Sequence, residues 1–289
     1  MKLVLTQKKS LAGFLLCLPA IIGLCVFFVI PFELCIYMSF TESTINPVFV
    51  GFDNYIDIFN SSAFRLAAGN TFKFVAVAVP AIMIFSVSVA LLLYKKLKGH
   101  EFFRAVFIFP LVLPTASVVL FFQVVFANGG ITDSVLNVIG VPVIDWMNSP
   151  FAFVSLVILY VWKNCGYGII LFLAALNSVP QSYYEAAELD GADSRDKFFG
   201  ITLPLIMPYS FFILIISVVN SFKVFREAYI LYGAYPNQSI YMLQHFMNNN
   251  FRNLNYIRLS TGAILIFIVI FAVVFILYRL RSKAEGIEL

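Results

Sequence analysis

The chain has 289 residues, of which 61% are hydrophobic and 12% charged, with a mean hydropathy of +0.93 and a formal net charge of +4. Soluble domains carry about 25% charged and about 45–50% apolar residues, so this composition excludes a soluble enzyme, a disordered chain and a free nucleic-acid binder. What remains is an integral membrane protein. Cys17, Cys25, Cys35 and Cys165 stand in or beside apolar runs. None is in a CxxC or Cys/His spacing, so they read as small apolar packing residues and no metal site is expected.

Crossing about 30 Å of hydrocarbon takes roughly 17–25 apolar residues. In chain order the predicted spans are 11–32, 72–94, 105–127, 151–176, about 203–222, and 260–278. The first run is interrupted by Pro19 but continues to Phe32, too long for the apolar core of a cleaved signal peptide. The fifth opens with Pro204 and Pro208 and holds Ser217, Asn220 and Ser221, so it should face protein or a wet cavity. Open sheets cannot exist in hydrocarbon, and runs this long and non-alternating do not suit a barrel. The fold expected is all-α, six transmembrane helices in one domain over 1–289.

Lys and Arg in short loops set orientation. Lys2, Lys8 and Lys9, then Lys95, Lys96, Lys98 and Arg104, then Arg279, Arg281 and Lys283 fall on one side of six spans. That side, with both termini, is predicted to be cytoplasmic. The 127–151 loop has two Asp and neither Lys nor Arg, as an external loop should. Lys223, Arg226, Arg252 and Arg258 run against the pattern locally.

The loop between spans four and five, 177–202, is acidic where a cytoplasmic loop should be basic. It holds Glu185, Glu188, Asp190, Asp193 and Asp196 against Arg195 and Lys197. The stretch 183–189 predicts a short helix behind Pro180, Asp190-Gly191 a break, and 192–200 a second helical stretch. Two short helices joined at a glycine make either a knob that inserts into a partner's cleft or a solvated linker.

The string Glu185-Ala186-Ala187, Asp190-Gly191-Ala192, Phe198, Ile201, Leu203-Pro204 and Pro208 resembles the EAA loop of ABC importer permeases, the membrane subunits of binding-protein-dependent transport systems. Val50-Gly51-Phe52-Asp53-Asn54-Tyr55, and Phe107-Ile108-Phe109-Pro110 with Pro114, are similar to the carbohydrate branch, that of the maltose and glycerol-phosphate permeases. Tyr232-Gly233-Ala234-Tyr235-Pro236 departs from that branch's glycine-rich string. The resemblance implies a permease in a bacterial or archaeal inner membrane that forms half of a pathway for a sugar or oligosaccharide. It implies a coupling loop over about 180–204, in which Glu185, Ala186, Ala187, Asp190, Gly191, Leu203 and Pro204 dock on an ATPase. The implied partners are a second homologous permease (a heterodimer), two cytoplasmic ATPase subunits and an extracytoplasmic solute-binding protein. The chain has no G-x-x-x-x-G-K-[ST] phosphate loop, so ATP and Mg are expected on the partner and no cofactor on this chain.

A solute site needs polar groups at mid-bilayer depth. At about 1.5 Å per residue, Thr115 lies about 16 Å from Arg104, Ser217 about 20 Å from Pro204, and Tyr167 about 14–20 Å from the end of span four. Asn164 and Tyr167 share a helix face, as do Ser217, Asn220 and Ser221. Resemblance to the maltose permeases puts Thr115, Tyr167, Ser217, Asn220 and Ser221 at pocket-lining positions, and Asn164 joins them by its face. Taken singly, such Ser and Thr residues bond back to their own helix as readily. Lys163, one turn from Tyr167, must be paired, hydrated or bound to an anion. It could read a solute carboxylate or phosphate, pair with Glu33 or Glu227, or snorkel outward. The rival reading, an ion-gradient transporter or channel, needs membrane-buried carboxylates or an inverted repeat; Glu33 alone is a candidate. A membrane enzyme finds no HExxH or Ser/His pair around His100 or His245.

Overall fold

The computed structural model describes residues 2–95 and 98–284, with side chains for 13–95 and 98–281. Lys96 lies outside the described residues, and the side chains of Lys2, Lys8, Lys9 and Lys283 are not described. The helices run α1 (Lys2–Leu24), α2 (Ile30–Ser39), α3 (Asp53–Asn60), α4 (Ser62–Tyr94), α5 (His100–Val112), α6 (Thr115–Phe126), α7 (Ile131–Val138), α8 (Ala152–Asn177), α9 (Gln181–Leu189), α10 (Ser194–Lys197), α11 (Leu203–Phe222), α12 (Arg226–Tyr232), α13 (Leu243–Arg252) and α14 (Tyr256–Ala284). A π-helical turn, Cys25–Val29, joins α1 to α2, and another, Phe198–Thr202, joins α10 to α11. Among the described residues the sole extended pairing is an isolated bridge between Thr41 and Phe49.

Six stretches are long and apolar enough to cross a membrane: Gly13–Ser39, Ser62–Tyr94, Thr115–Val138, Ala152–Asn177, Ser194–Tyr232 and Tyr256–Arg281. Four differ from the sequence expectation, the fifth because α10 and α12 adjoin an α11 that itself keeps the bounds 203–222. The second helix starts ten residues before Phe72, because 62–71 is helical despite its polar Arg65 and Asn70. The first runs past Phe32 to Ser39. The run expected as one span at 105–127 is two helices, α5 and α6, separated at Leu113 and Pro114, both extended. Proline denies its predecessor the helical region and has no N–H to donate; Pro114 therefore ends one helix and caps the next.

Contacts group the chain into two units, Met1–Ser61 with Asn250–Ile268, and Ser62–Asn249 with Val269–Leu289. In the first, the most apolar 18 residues within Gly13–Ser39 include no buried residue, whereas Ser39 itself is buried. The string 50–55 terminates α2. Gly51 takes φ +59°, and Asn54 Nδ2 donates to Ser39 O and Thr41 O at 3.0 and 2.9 Å. Tyr55 Oη meets Ser39 Oγ at 2.7 Å, and Phe40 packs on the rings of Phe49, Phe52 and Tyr55. Carbonyls left over at the helix end are thus satisfied by a side-chain amide.

The second unit is built around α8, against which α4, α5 and α11 pack. Gly166 and Gly168 make this possible. A Cβ on Gly168 would lie 2.6 Å from Ser86 Oγ on α4, and one on Gly166 3.0 Å from Phe107 O on α5. Helices in a bilayer gain from such close approach because dispersion replaces the hydrophobic effect between them. Ser86 Oγ donates to Cys165 O at 3.2 Å across the same seam. The main core there joins Val89, Ala90, Leu93, Ile169, Phe172, Leu176, Ile206 and Ile213.

Candidate functional site

The knob forms from the local signals that predict it. Pro180 precedes α9, and Gly191 takes φ +80° after it, closing the helix with Gly191 N to Glu188 O at 3.1 Å and Ala192 N to Ala187 O at 2.9 Å. These are the bonds of a glycine C-cap. Asp193 starts α10 with a capping box: its Oδ1 accepts from Arg195 N and Asp196 N at 2.7 and 2.8 Å, while Asp196 Oδ2 accepts from Asp193 N. Accepting those backbone N–H groups holds the Asp193 carboxyl below the usual carboxylate range. Two clasps hold the knob together, tying α9 to α10 and to the turn that leads into α11. Lys197 Nζ pairs with Glu188 Oε1 at 2.8 Å, and Tyr184 Oη meets Thr202 Oγ1 at 2.9 Å. Beneath them a cavity of about 590 Å³ is lined by Leu91, Tyr94, Tyr184, Glu188, Lys197 and Thr202.

The tip is bare. Glu185, Ala186 and Asp190 are exposed, as is Gly191; Ala187 is half-buried. Leu203 is half-buried and Pro204 exposed, at the start of α11. Glu185 makes no ion pair among the described residues. Leu189 is 90% exposed beside it, with Tyr183 also exposed. Leu189 closes the helix expected over 183–189 but was not among the residues expected to dock.

The polar groups expected at mid-span are only partly together. Lys163, near the middle of α8, pairs with Glu227 on α12 at 2.7 Å and donates to Thr115 Oγ1 at 2.6 Å. This selects one of the three fates open to Lys163 and ties Thr115, the first residue after the Pro114 break, to α8. Glu227 stands in the first turn of α12, where an anion is favoured by the helix dipole. Tyr167 is exposed on α8, whereas Asn164 donates to Tyr160 O of its own helix at 2.8 Å. Ser217 is half-buried and Asn220 exposed, but Ser221 is fully buried and donates to Val218 O at 2.8 Å. The face shared by spacing is therefore divided: Ser221 belongs to the helix packing, by the back-bonding common for such residues. A separate apolar cavity of about 340 Å³ between α5 and α8 is lined by Phe85, Phe107, Phe109, Pro110, Trp162 and Cys165 and takes in none of the six.

Within the loop expected between spans five and six, residues 233–249 fold onto α4 and α8. Gly233 takes φ +79°. Asn70 Nδ2 donates to Gln238 O and Tyr241 O at 2.6 and 3.0 Å, and Thr71 Oγ1 accepts from Leu243 N at 2.9 Å. Tyr232 Oη meets Ser155 Oγ at 2.6 Å, and Asn237 Nδ2 donates to Asn148 O at 2.9 Å. His245 on α13 is fully buried between the rings of Phe225 and Tyr241, and its Nδ1 accepts from Met242 N at 3.2 Å.

Residues 82–284 match the family described as binding-protein-dependent transport system inner membrane component. The trehalose/maltose transport system permease protein MalF of Thermococcus litoralis is 32% identical over 238 residues, covering 80% of each chain. By structure, the chain shares its fold with a bacterial ABC transporter involved in the import of the acidic polysaccharide alginate, at a TM-score of 0.83 and 20% identity over 98% of this chain and 99% of that one. The same fold is seen, at a TM-score of 0.82, 20% identity and 98% coverage of both chains, in the alginate transporter in complex with an alginate pentasaccharide-bound periplasmic protein.

Proposed function

The chain belongs to the binding-protein-dependent transport system inner membrane component family, and from that premise we propose that it is half of a glycan importer whose energy enters through the 181–202 knob. It is a multi-pass ABC importer permease, which sets aside the ion-gradient reading. Sugar or oligosaccharide cargo is supported by the trehalose/maltose relative and by the alginate transporter that shares the fold.

The observation that carries the coupling role is the knob itself: braced at its base by Glu188–Lys197 and Tyr184–Thr202, yet presenting Glu185 unpaired and Leu189 uncovered. Its partner would be an ATPase subunit carrying ATP and Mg. Glu185 would pair with a basic group there, Leu189 would enter an apolar slot, and Ala186, Ala187, Asp190 and Gly191 would allow close approach. Leu203 and Pro204, where α11 begins, would carry the thrust into the membrane. A second permease would complete the pathway and a second ATPase the pair. The loop between spans five and six, of which 233–249 is clasped to α4, would receive the binding protein with the other loops of that face. Thr115, Asn164, Tyr167, Ser217, Asn220 and Ser221 would contribute this chain's share of the solute path, Ser221 by shaping the helix and the others by contact.

Glu185→Ala should reduce ATP-dependent uptake of radiolabelled oligosaccharides by cells at least about tenfold while the protein remains at normal abundance in the membrane. Normal uptake in that variant removes the coupling role.

A further inference from the structure

The glycans handled by the similar proteins differ in charge: trehalose and maltose are neutral, alginate acidic. Charge selection at this chain must therefore come from its own side chains. One place in the membrane-spanning body has the means. Lys163 and Glu227 are paired at 2.7 Å, but the pair is not sealed: their side chains keep 13% and 11% of their exposure. Among the described residues, Glu227 Oε1 and Thr115 Oγ1 take two of the ammonium's three N–H directions, and Glu227 Oε2 takes no donor. One strong donor and one strong acceptor are left side by side, with Tyr167 exposed one turn along α8.

Resting on the glycan-import reading, we propose that the Lys163–Glu227 pair is a charge-neutral selectivity element. It receives adjacent hydroxyls of an uncharged part of the cargo, and Glu227 keeps acidic glycans from settling there. A sugar hydroxyl both donates and accepts, so two neighbouring hydroxyls satisfy the carboxylate oxygen and the ammonium together. Bonds to ionised partners are the stronger kind. A lone ammonium in a weakly screened interior would instead draw a carboxylate. With Glu227 in contact, the net charge is zero, and an incoming uronate meets a like charge as near as it meets an opposite one. Thr115 Oγ1 holds Lys163 toward the break between α5 and α6, fixing where the donor stands.

The test uses the complete transporter complex in lipid nanodiscs without its binding protein, titrated with maltotriose and with trigalacturonate. The wild type should bind maltotriose in preference. Glu227→Gln should move the maltotriose-to-trigalacturonate affinity ratio at least about tenfold toward the acid, with a shift that shrinks as salt is raised. The double variant Lys163→Gln/Glu227→Gln, neutral again, should return the preference to maltotriose. A wild type that prefers trigalacturonate overturns the inference. So does an unchanged ratio in Glu227→Gln, which would leave the pair a staple between α8 and α12. If Glu227→Gln does not assemble, the double variant decides: a preference for trigalacturonate in it overturns the inference. A wild type that binds neither probe removes the glycan reading, and this inference with it.

Discussion

His245 shows how a single buried ring carries a pH dependence. Desolvation pushes its pKa down to about 4, while the unfolded ring titrates near about 6.5. Below about pH 6.5 the opened segment takes up a proton that the folded one refuses, so its stability is full at neutral pH and is lost as pH falls toward 4. The gap corresponds to about 3 kcal/mol at its limit. Met242 N fixes Nδ1 as the acceptor, leaving Nε2 as the proton carrier, buried and without a partner among the described residues. The protection factors of the α13 amides should fall between pH 6.5 and 4, and His245→Phe should flatten that fall. An equal fall in the variant would place the sensitivity elsewhere.

At the scale of helices, the seam of α8 against α4 depends on a missing methyl group. Gly168→Ala places a carbon 2.6 Å from Ser86 Oγ and 2.9 Å from Ser86 Cβ. Neither helix can yield cheaply, so a loss of about 1–3 kcal/mol is expected, read as a lower melting temperature of the purified protein in detergent. Ser86→Gly in the same chain should restore most of it; no recovery would mean that the damage is to α8 alone. The two short helices of the knob were legible in the sequence because the signals read there, Pro180 and Gly191, are local; the Asp193 capping box is equally local but was not read. The start of α4 was not legible, because Arg65 and Asn70 interrupt the apolar run while leaving the helix intact. Nor was the break at Pro114 anticipated: Pro110, four residues earlier, lies inside α5 without ending it. Lys163 was legible as anomalous, but its choice of Glu227 is a contact across 64 residues, beyond any pattern of spacing. The division between Asn220 and Ser221 likewise depends on which neighbours lie beside α11.

For the whole molecule, the placement of its charges carries the proposal of which face is which. The cationic ends proposed to lie in the cytoplasm should make an alkaline phosphatase fused after Gly191 inactive and one fused after Gly140 active. The reverse pattern would put the knob outside the cell and end its coupling role. One element reaches both of these faces. α4 has 33 residues, about 50 Å of continuous helix. At one end Asn70 and Thr71 grip the folded segment through Gln238, Tyr241 and Leu243; at the other Leu91 and Tyr94 roof the hollow under the knob. An α-helix strongly resists axial stretching and bends where its ladder is interrupted, here at Pro80, whose ring leaves the Ala76 carbonyl without its donor. On the proposed coupling, cargo delivered at one surface and nucleotide turnover at the other would act on the same beam, and the joint at Pro80 would set how much of the motion at one end reaches the other.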